Sequence, residues 1–361
     1  MTTFFLIRHA EAEGNVYRRS QGQYDALLTL NGKRQADFLA QRFADIHLDA
    51  IFSSDLTRTV QTAQPLAAQK GLQIQTDPAL REYCMGEWED LPWGELPVRY
   101  PEAYALWSDQ PHLCQAPGGE SMQALSDRVY DAIFRIAHAC DGRTIAIFSH
   151  GAAIRTFLCR AHYQTLEQLN TVHWGDNTCV AQCTIDSGKI HILFENDTTH
   201  LPAEASTLGR QKWWRNGKDT NARFFDAAAD NDYILSTLEA ELEAAGGTPA
   251  ERQTALREFC TLLEQPGQAY LVSLGKQIIG FVLLYPFEKG KAGRIAYLYL
   301  EPDYRQHNIG AQLLGQAVSV LRKRGCKTLS FLAPDPDVPV VRLAKNNGFV
   351  RQEGSLYTLE I

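Results

Sequence analysis

Several features that define other classes of protein are missing from this sequence. Its eight cysteines include no CxxC pair and are too widely spaced for a disulfide framework. The apolar run at residues 4–7 has no basic segment before it and is too short for a signal peptide, and no run approaches bilayer-spanning length. We therefore expect a soluble protein of the reducing cytoplasm, with no membrane partner.

Excess positive charge is missing as well. The chain has 35 lysines and arginines against 42 aspartates and glutamates, which gives a formal net charge of −7. The basic side chains are scattered, so no nucleic-acid partner is indicated. What the chain does have is length: 361 residues with 45% hydrophobic content exceed one ordinary core, and two domains are expected.

The first part of the chain alternates two kinds of segment. Over residues 1–200, apolar strand-like runs alternate with helix-like runs, which predicts an α/β domain with a mainly parallel sheet flanked by helices. Residues 201–221 lose this periodicity and gain polar breakers, so they are predicted to be a linker. The alternative for this segment is that Trp213 and Trp214 pack on one of the domains.

In the first domain, predicted strands are followed by polar residues. Ligands of open α/β sheets bind at the carboxyl ends of the strands, where such side chains meet. The residues expected to converge at this edge are Arg8 and His9, Arg58, Arg81 and Glu82, and His150 with Gly151. Each one alone is explained by a solvated strand end or a turn, whereas their joint occurrence indicates a site.

This set of side chains suits phosphoryl transfer. Arginine forks bind phosphate oxygens, and helix starts such as those at Arg58 and Gly151 add amide donors. A histidine with one unprotonated ring nitrogen is a nucleophile, and neighbouring arginines should lower its pKa. The second histidine, if protonated, can stabilise the transferred group, and Glu82 is a candidate proton donor to the leaving oxygen. Metal binding is disfavoured because the arginines oppose a cation.

Five motifs within residues 1–200 resemble the histidine phosphatases, the phosphoglycerate-mutase-like superfamily. They are LIRHAEAEGN at 6–15, with Ala10 where glycine is usual, SQGQYDALLTLNG at 20–32, IFSSDLTRTVQTA at 51–63, LREYCMGEWED at 80–90 and FSHG at 148–151. The resemblance implies a role for each matching residue: His9 as the phosphorylated nucleophile, Arg8, Arg58 and His150 as phosphate holders, Asn15 and Gln21 as assistants, and Glu82 as the general acid. It also implies that neither a metal nor a nucleotide is needed.

The insert at residues 83–121 bears on the choice between a phosphatase and a mutase. A mutase retains a bisphosphorylated intermediate, which calls for extra cations, and the insert carries one firm cation, Arg99. It also resembles the phosphatase pattern GxWEG, with Asp90 in place of the last glycine. We therefore favour hydrolysis of a small phosphorylated metabolite, with a mutase as the alternative. The many aromatic residues of the insert either shape a substrate pocket or pack the insert itself.

The second domain, residues 222–361, combines a hairpin that turns at 274–276 with further strands and a helix from 309 to 324, which predicts an α+β fold. Its sequence YLEPDYRQHNIGAQLL places a turn before that helix. Such a turn can offer backbone N–H groups to a pyrophosphate. Asn308 can adopt the left-handed conformation that glycine would otherwise supply, and Gly310 allows close backbone approach. A plain helix-start turn is the alternative explanation.

With NNGF at 346–349, these features resemble the GNAT family of acyl-CoA-dependent N-acyltransferases. The resemblance implies that acetyl-CoA is the ligand and that its pyrophosphate is bound by the run Arg305, Gln306, His307, Asn308, Ile309, Gly310 and Ala311, with Asn308 replacing a glycine.

Two departures concern catalysis in this second domain. Ala344 stands where the family often has a tyrosine that serves as the acid to the departing thiolate. Where some members keep a base within the strand, this sequence offers only Glu301 at the strand end. Candidate substitutes for the tyrosine are Tyr297, Tyr299 and Tyr357. Acetyl-CoA binding is therefore expected more strongly than acetyl transfer to an amine, and a non-catalytic acyl-CoA-binding module is the alternative.

Overall fold

The computed structural model describes residues 1–211, 221–227, 231–286, 292–305, 307–333 and 338–361. The chain divides into two compact units, which are described separately. The first unit is Met1–Leu91 with Leu96–Lys218, and the second is Pro92–Glu95 with Asp219–Ile361. Among the described residues, no helix has the length and apolar character needed to cross a membrane.

The first unit contains a six-stranded sheet. Its strands are β1 (Thr2–Arg8), β2 (Ala50–Ser53), β3 (Ile74–Thr76), β4 (Thr144–Ser149), β5 (Val180–Asp186) and β6 (Lys189–Asp197). The order is β3-β2-β4-β1-β5-β6; the first four strands are parallel, and β5 and β6 are antiparallel additions. The sheet is thus mainly parallel, as the sequence predicts.

The described part of the first unit contains eight α-helices, some of which cover the two faces of the sheet. They are α1 (Glu13–Tyr17), α2 (Leu30–Arg42), α3 (Thr57–Lys70), α4 (Leu96–Arg99), α5 (Pro101–Asp109), α6 (Met122–Ala139), α7 (Gly151–Ala161) and α8 (Thr207–Gln211). Successive strand residues point to opposite faces, so Phe5 packs on Phe43 after α2 and Phe4 packs on Phe157 of α7. A strand covered on both sides explains the continuous apolar run of β1.

The carboxyl ends of the parallel strands lie together. Arg8 is paired in register with Ser149, and Ser53 with Phe148, so β1, β2 and β4 end at one edge of the sheet. The polar residues that follow these strands in sequence therefore meet in space. This edge carries the candidate site.

The segment after β6 packs within the first unit. Ala205 is buried just before α8, and Thr207, the first residue of α8, is buried as well. Residues 201–211, which the sequence predicts to begin the linker, thus form part of this unit's structure. Residues 212–220, with Trp213 and Trp214, lie outside the described residues.

The second unit contains a seven-stranded sheet of order β12-β13-β11-β10-β9-β8-β7, in which β10 and β11 are the parallel pair. The strands are β7 (Arg223–Asp226), β8 (Ala269–Leu274), β9 (Gln277–Leu284), β10 (Gly293–Leu300), β11 (Thr328–Leu332), β12 (Val350–Arg351) and β13 (Leu356–Glu360). The helices are α9 (Asn231–Ala244), α10 (Pro249–Leu263), α11 (Ile309–Lys323) and α12 (Pro339–Asn346). The predicted hairpin is confirmed: β8 and β9 pair across a turn in which Gly275 has φ 57°.

Candidate active site

His9 follows β1 directly and is 2% exposed. Its Nδ1 lies 2.8 Å from the carbonyl oxygen of Ala10. Because a carbonyl can only accept, Nδ1 carries the ring proton and Nε2 keeps its lone pair. Burial, and next the charges of Arg58 and Arg8, hold the pKa of His9 well below its ordinary value. The ring is therefore neutral at pH 7, with Nε2 as the nucleophilic atom.

Arg58 lies in the first turn of α3 and is completely buried. Its two terminal nitrogens donate to backbone carbonyls, NH1 to Tyr24 at 2.8 Å and NH2 to Gly22 at 2.7 Å. Its Nε is buried and has no hydrogen-bond partner among the described residues. Desolvation lowers the pKa of Arg58 to about 10, so the side chain is still charged at neutral pH. A fixed, buried positive charge of this kind calls for an anion.

Arg8, the last residue of β1, is held by Gly175, whose carbonyl oxygen accepts from NH1 at 2.5 Å. Its Nε is likewise buried without a partner among the described residues. This nitrogen faces the start of α7, because a Cβ added to Gly151 would lie 3.5 Å from it. Arg8 and Gly151 are thus brought together, as the strand-end rule predicts.

His150 lies between β4 and α7, and its ring centroid lies 5.3 Å from that of His9. Its Nε2 is 2.9 Å from the Ser54 hydroxyl, which also accepts from the Leu56 amide at 3.3 Å. The Ser54 hydroxyl is buried, and Nε2 is the acceptor within its reach among the described residues, so we assign the Ser54 proton to Nε2 and the His150 proton to Nδ1, a buried atom with no partner among those residues.

The charge state of His150 decides whether it has the role that the sequence analysis assigns to its protonated form. Burial, and next the charge of Arg58, keep the pKa of His150 well below its ordinary value. The neutral ring still presents Nδ1–H as a donor. A neutral donor can bind a phosphate oxygen, so the neutral form of His150 is still suited to holding phosphate.

Glu82 is fixed against the start of α7. Its Oε1 accepts from the amides of Tyr83 and Ala153 at 2.9 and 3.0 Å, and its Oε2 accepts from Ala152 at 3.1 Å. The amides of residues 152 and 153, which a helix start offers to anions, are therefore engaged by this carboxyl group. The amide of Gly151, which the sequence predicts to bind phosphate, is not among the donors to Glu82.

The loop after β1 carries the two predicted assistants. Asn15 accepts the Ala12 amide at 2.9 Å through Oδ1, and its Nδ2 makes no hydrogen bond with the described residues. Gln21 packs against Gly14, and its Oε1 is buried without a partner among those residues. Both amide side chains thus keep polar atoms available within the loop after β1, residues 9–21, which we call the nucleophile loop.

The structure adds two residues to the site that the sequence analysis did not name, Ser54 and Asn177. Ser54 orients His150, and it was detectable because it follows β2 at the same edge. Asn177, which donates to the His9 carbonyl at 2.9 Å, precedes the antiparallel strand β5, where the strand-end rule does not apply. Arg81, in contrast, pairs with Asp55 at 2.5 Å.

Most aromatic residues of the insert form its packing. Tyr83 and Trp88 are fully buried, and Trp107 stacks on Tyr83 with ring centroids 5.7 Å apart. Trp174, which lies outside the insert, is different: it is 46% exposed and lies over the Arg155 guanidinium at 4.1 Å. A Cβ at Gly151 would lie 2.8 Å from its ring, so Trp174 borders the site.

In the second unit, the turn before α11 has the predicted backbone. Asn308 has φ 62° and ψ 7°, which confirms the left-handed conformation expected for it. Ile309 and Ala311 are buried, Arg305 and His307 are exposed, and Gln306 lies outside the described residues. A Cβ at Gly310 would lie 3.0 Å from Leu343, so packing against α12 favours glycine there.

The strands next to this turn separate. β10 and β11 pair at Gly293 with Leu329 and at Arg294 with Ser330, and the ladder stops there. From Ile295 onwards, the β11-facing edge of β10 therefore has no sheet partner within the described residues. Such an edge can receive an extended ligand through its backbone groups.

The candidate acid residues of the second unit have distinct surroundings. Ala344 is completely buried. Tyr297 donates to Glu241 at 3.4 Å, and Tyr299 donates to Glu301 at 3.1 Å. Desolvation, and next the charge of Glu241, raise the pKa of Tyr297 to about 12. The Tyr357 hydroxyl is buried and unpaired among the described residues.

The fold and the arginine–histidine edge of the first unit define a class of α/β phosphoryl-transfer proteins. Residues 4–198, more than half of the chain, match the histidine phosphatase superfamily (branch 1), and the chain belongs to that family. Residues 231–349 match the acetyltransferase (GNAT) family. Both resemblances expected from the sequence are confirmed, as is the mixed α/β fold class.

Two curated relatives illustrate this similarity. Phosphoserine phosphatase 1 of Hydrogenobacter thermophilus is 35% identical over 204 residues, which cover 56% of this chain and 95% of the relative. The probable phosphoglycerate mutase GpmB of Serratia proteamaculans is 37% identical over 154 residues, 43% of this chain and 72% of the relative.

Solved structures give the same result. Bacillus stearothermophilus YhfR aligns with a TM-score of 0.54 and 30% identity, covering 55% of this chain and 99% of YhfR. The α-ribazole phosphatase of Shigella flexneri aligns with a TM-score of 0.50 and 26% identity, covering 54% of this chain and 96% of that protein.

Proposed function

We propose that the first domain hydrolyses the phosphomonoester of a small metabolite through a phosphohistidine on His9. The observation that carries this proposal is the convergence of three buried nitrogens beside a neutral His9: Arg8 Nε, Arg58 Nε and His150 Nδ1 are buried without partners among the described residues. Each is an N–H donor, and a phosphate group has the oxygens to accept from all three. Asn15 and Gln21 assist from the loop.

The reaction has two balanced steps. His9 Nε2 attacks phosphorus while the bond to the leaving oxygen breaks, and Glu82 in its protonated form gives that oxygen a proton. Water then attacks phosphorus, its proton passes to Glu82, and the bond to Nε2 breaks to release orthophosphate. The donors at Arg8, Arg58 and His150 stabilise the charge on the transferred group in both steps.

The leaving group departs beside an aromatic surface. Trp174 is half exposed next to Gly151, and its ring is held from behind by Arg155, whose guanidinium donates to the carbonyls of Val172 and Leu169. A flat apolar surface held in this way suits the ring or hydrocarbon part of a small alcohol. Similarity to proteins named phosphoserine and α-ribazole phosphatases supports a small metabolite as substrate.

The test is hydrolysis of p-nitrophenyl phosphate by the full chain in EDTA-containing buffer. We expect turnover with an acid-labile phosphoenzyme, and we expect both to be lost in His9→Ala. His138→Ala is the matched control, because His138 is exposed on α6. Full activity of His9→Ala would contradict the proposal. Product analysis with 3-phosphoglycerate separates the two reactions, because a mutase yields an isomer and a phosphatase yields orthophosphate.

For the second domain, we propose that residues 222–361 bind acetyl-CoA, with its pyrophosphate at the run from Arg305 to Ala311. The left-handed Asn308 and the separation of β10 from β11 support this proposal. The buried Ala344 removes the expected acid, so binding is proposed ahead of transfer. Calorimetry with acetyl-CoA and a panel of amine acceptors tests this order. Turnover of any amine would make the domain an acetyltransferase, and absence of binding would refute the proposal.

A further inference from the structure

Glu11 is a buried carboxylate that the phosphoryl-transfer chemistry leaves unused. It lies two residues after His9 and is 2% exposed. Its oxygens accept from four side chains: Thr29 Oγ1 at 2.7 Å, Asn31 Nδ2 at 3.3 Å, Thr207 Oγ1 at 3.0 Å and Arg210 NH1 at 3.3 Å. Two of these four donors come from residues 205–211, which we call the strap.

The strap contacts the nucleophile loop at a second point. Gln211 Nε2 donates to the Asn15 carbonyl at 2.7 Å. Asn15 is the loop residue expected to help hold the phosphate, so the strap is bonded to the loop at residues 11 and 15. These contacts join residues 196 or more positions apart in the chain.

A third contact links the strap to Arg8. Asp176 accepts from the Ser206 hydroxyl at 2.6 Å and from the Leu208 amide at 3.2 Å. The preceding residue, Gly175, accepts the Arg8 guanidinium at 2.5 Å. The strap therefore supports the site from both sides, through the loop after β1 and through the segment before β5.

Because Glu11 is buried, its position depends on these contacts. A buried carboxylate is tolerated only when donors satisfy it, and the loss of one partner costs its full desolvation penalty. If the strap donors are removed, Glu11 must move toward water and carry its loop with it. Misplacement of a reacting group by about 1 Å can lower a rate about 100-fold.

We propose that the strap is a positioning element of the phosphatase, in which Thr207, Arg210 and Gln211 hold the nucleophile loop in its reactive geometry. This inference rests on the proposed phosphatase function. The match to the histidine phosphatase family ends at residue 198, so the strap lies beyond it. A segment that the sequence predicts to be a linker thus completes the site.

The experiment compares Thr207→Val with Thr207→Ser in the full chain. Valine has nearly the shape of threonine but lacks the hydroxyl, which donates to Glu11 and accepts from Gln35 Nε2 at 3.0 Å, whereas serine keeps it. We expect Thr207→Val to lower kcat for p-nitrophenyl phosphate about tenfold, with a smaller change in KM, and Thr207→Ser to retain most of the activity. Glu204→Ala is the control, because Glu204 is an exposed residue just before the strap.

A double-mutant cycle tests whether the effect passes through Glu11. Glu11→Gln should lower kcat in the parent chain and have little further effect in Thr207→Val, because both changes disrupt the contact between Thr207 and Glu11. Additive effects would show that Thr207 does not act through Glu11, and a lower Tm with kcat within twofold of the parent would show that the strap only stabilises the fold; either result would overturn the proposal. Absence of His9-dependent activity in the parent chain would instead refute the phosphatase function itself.

Discussion

Asp90 occupies a position where the phosphatase loop pattern has glycine, and the structure gives it a glycine-like conformation, with φ 59°. It is also 4% exposed, and its carboxylate accepts from Arg19 Nε at 2.8 Å. Two opposing effects are therefore expected in Asp90→Gly. Relief of the left-handed conformation favours the variant by about 1 kcal/mol. Removal of one partner from a buried ion pair costs about 3–5 kcal/mol, because the Arg19 guanidinium stays buried.

The ion pair outweighs the backbone term, so Asp90→Gly should lower the free energy of unfolding by about 3 kcal/mol. For a unit of this size, that loss corresponds to roughly 6–12 °C in Tm. Asp90→Asn is the matched variant, because it keeps an acceptor oxygen and tolerates the left-handed conformation, and its loss should be smaller. The assay is thermal and urea unfolding of the full chain, followed at the transition of the first unit. A Tm for Asp90→Gly equal to or above that of the parent would refute the reasoning.

Three further outcomes are expected. Because the folded pKa of His9 is lowered, the unfolded state binds its proton more readily, and the free energy of unfolding should fall as pH drops below about 6.5, by up to about 1.4 kcal/mol per pH unit. Urea titrations at pH 7.5 and 5.5 measure this, and an unchanged slope in His9→Ala would contradict it. Gly151→Ala should lower kcat/KM for p-nitrophenyl phosphate, since the new Cβ lies 2.8 Å from Trp174; unchanged kinetics would count against that contact. Trp174→Ala should raise KM for aryl phosphates more than KM for phosphoserine, and equal changes would show that its ring does not contact the leaving group.

The sequence predicted the part of the site that depends on local pattern. Arg8, His9 and His150 follow apolar strands, and parallel pairing brings strand ends to one edge without any knowledge of the loops. Asn308 was predictable for a similar reason, because a left-handed residue before a helix is a local property.

The parts that were missed depend on contacts between distant residues. Thr207 and Arg210 lie in a polar segment without periodicity, and nothing local shows that they bond Glu11 across 196 or more positions. The charge state of His150, which depends on burial and on the charge of Arg58, was also out of reach, as was its tautomer, which depends on the Ser54 hydroxyl. Burial and the direction of a hydroxyl proton are properties of the packed fold.

Burial sets the protonation states on which the reactivity of this site depends. Desolvation is the first cause of the lowered pKa of both His9 and His150, and it also acts on Arg58, whose pKa remains near 10. One environment therefore keeps the histidines neutral while leaving the arginine charged, because the guanidinium starts from a much higher value. In a solvated pocket the nucleophile would keep its ordinary pKa and would be protonated at mildly acidic pH. Water would also weaken the interaction of each donor with the phosphate. The strap contributes to this dry environment by satisfying Glu11, a charge that would otherwise draw water to the nucleophile loop.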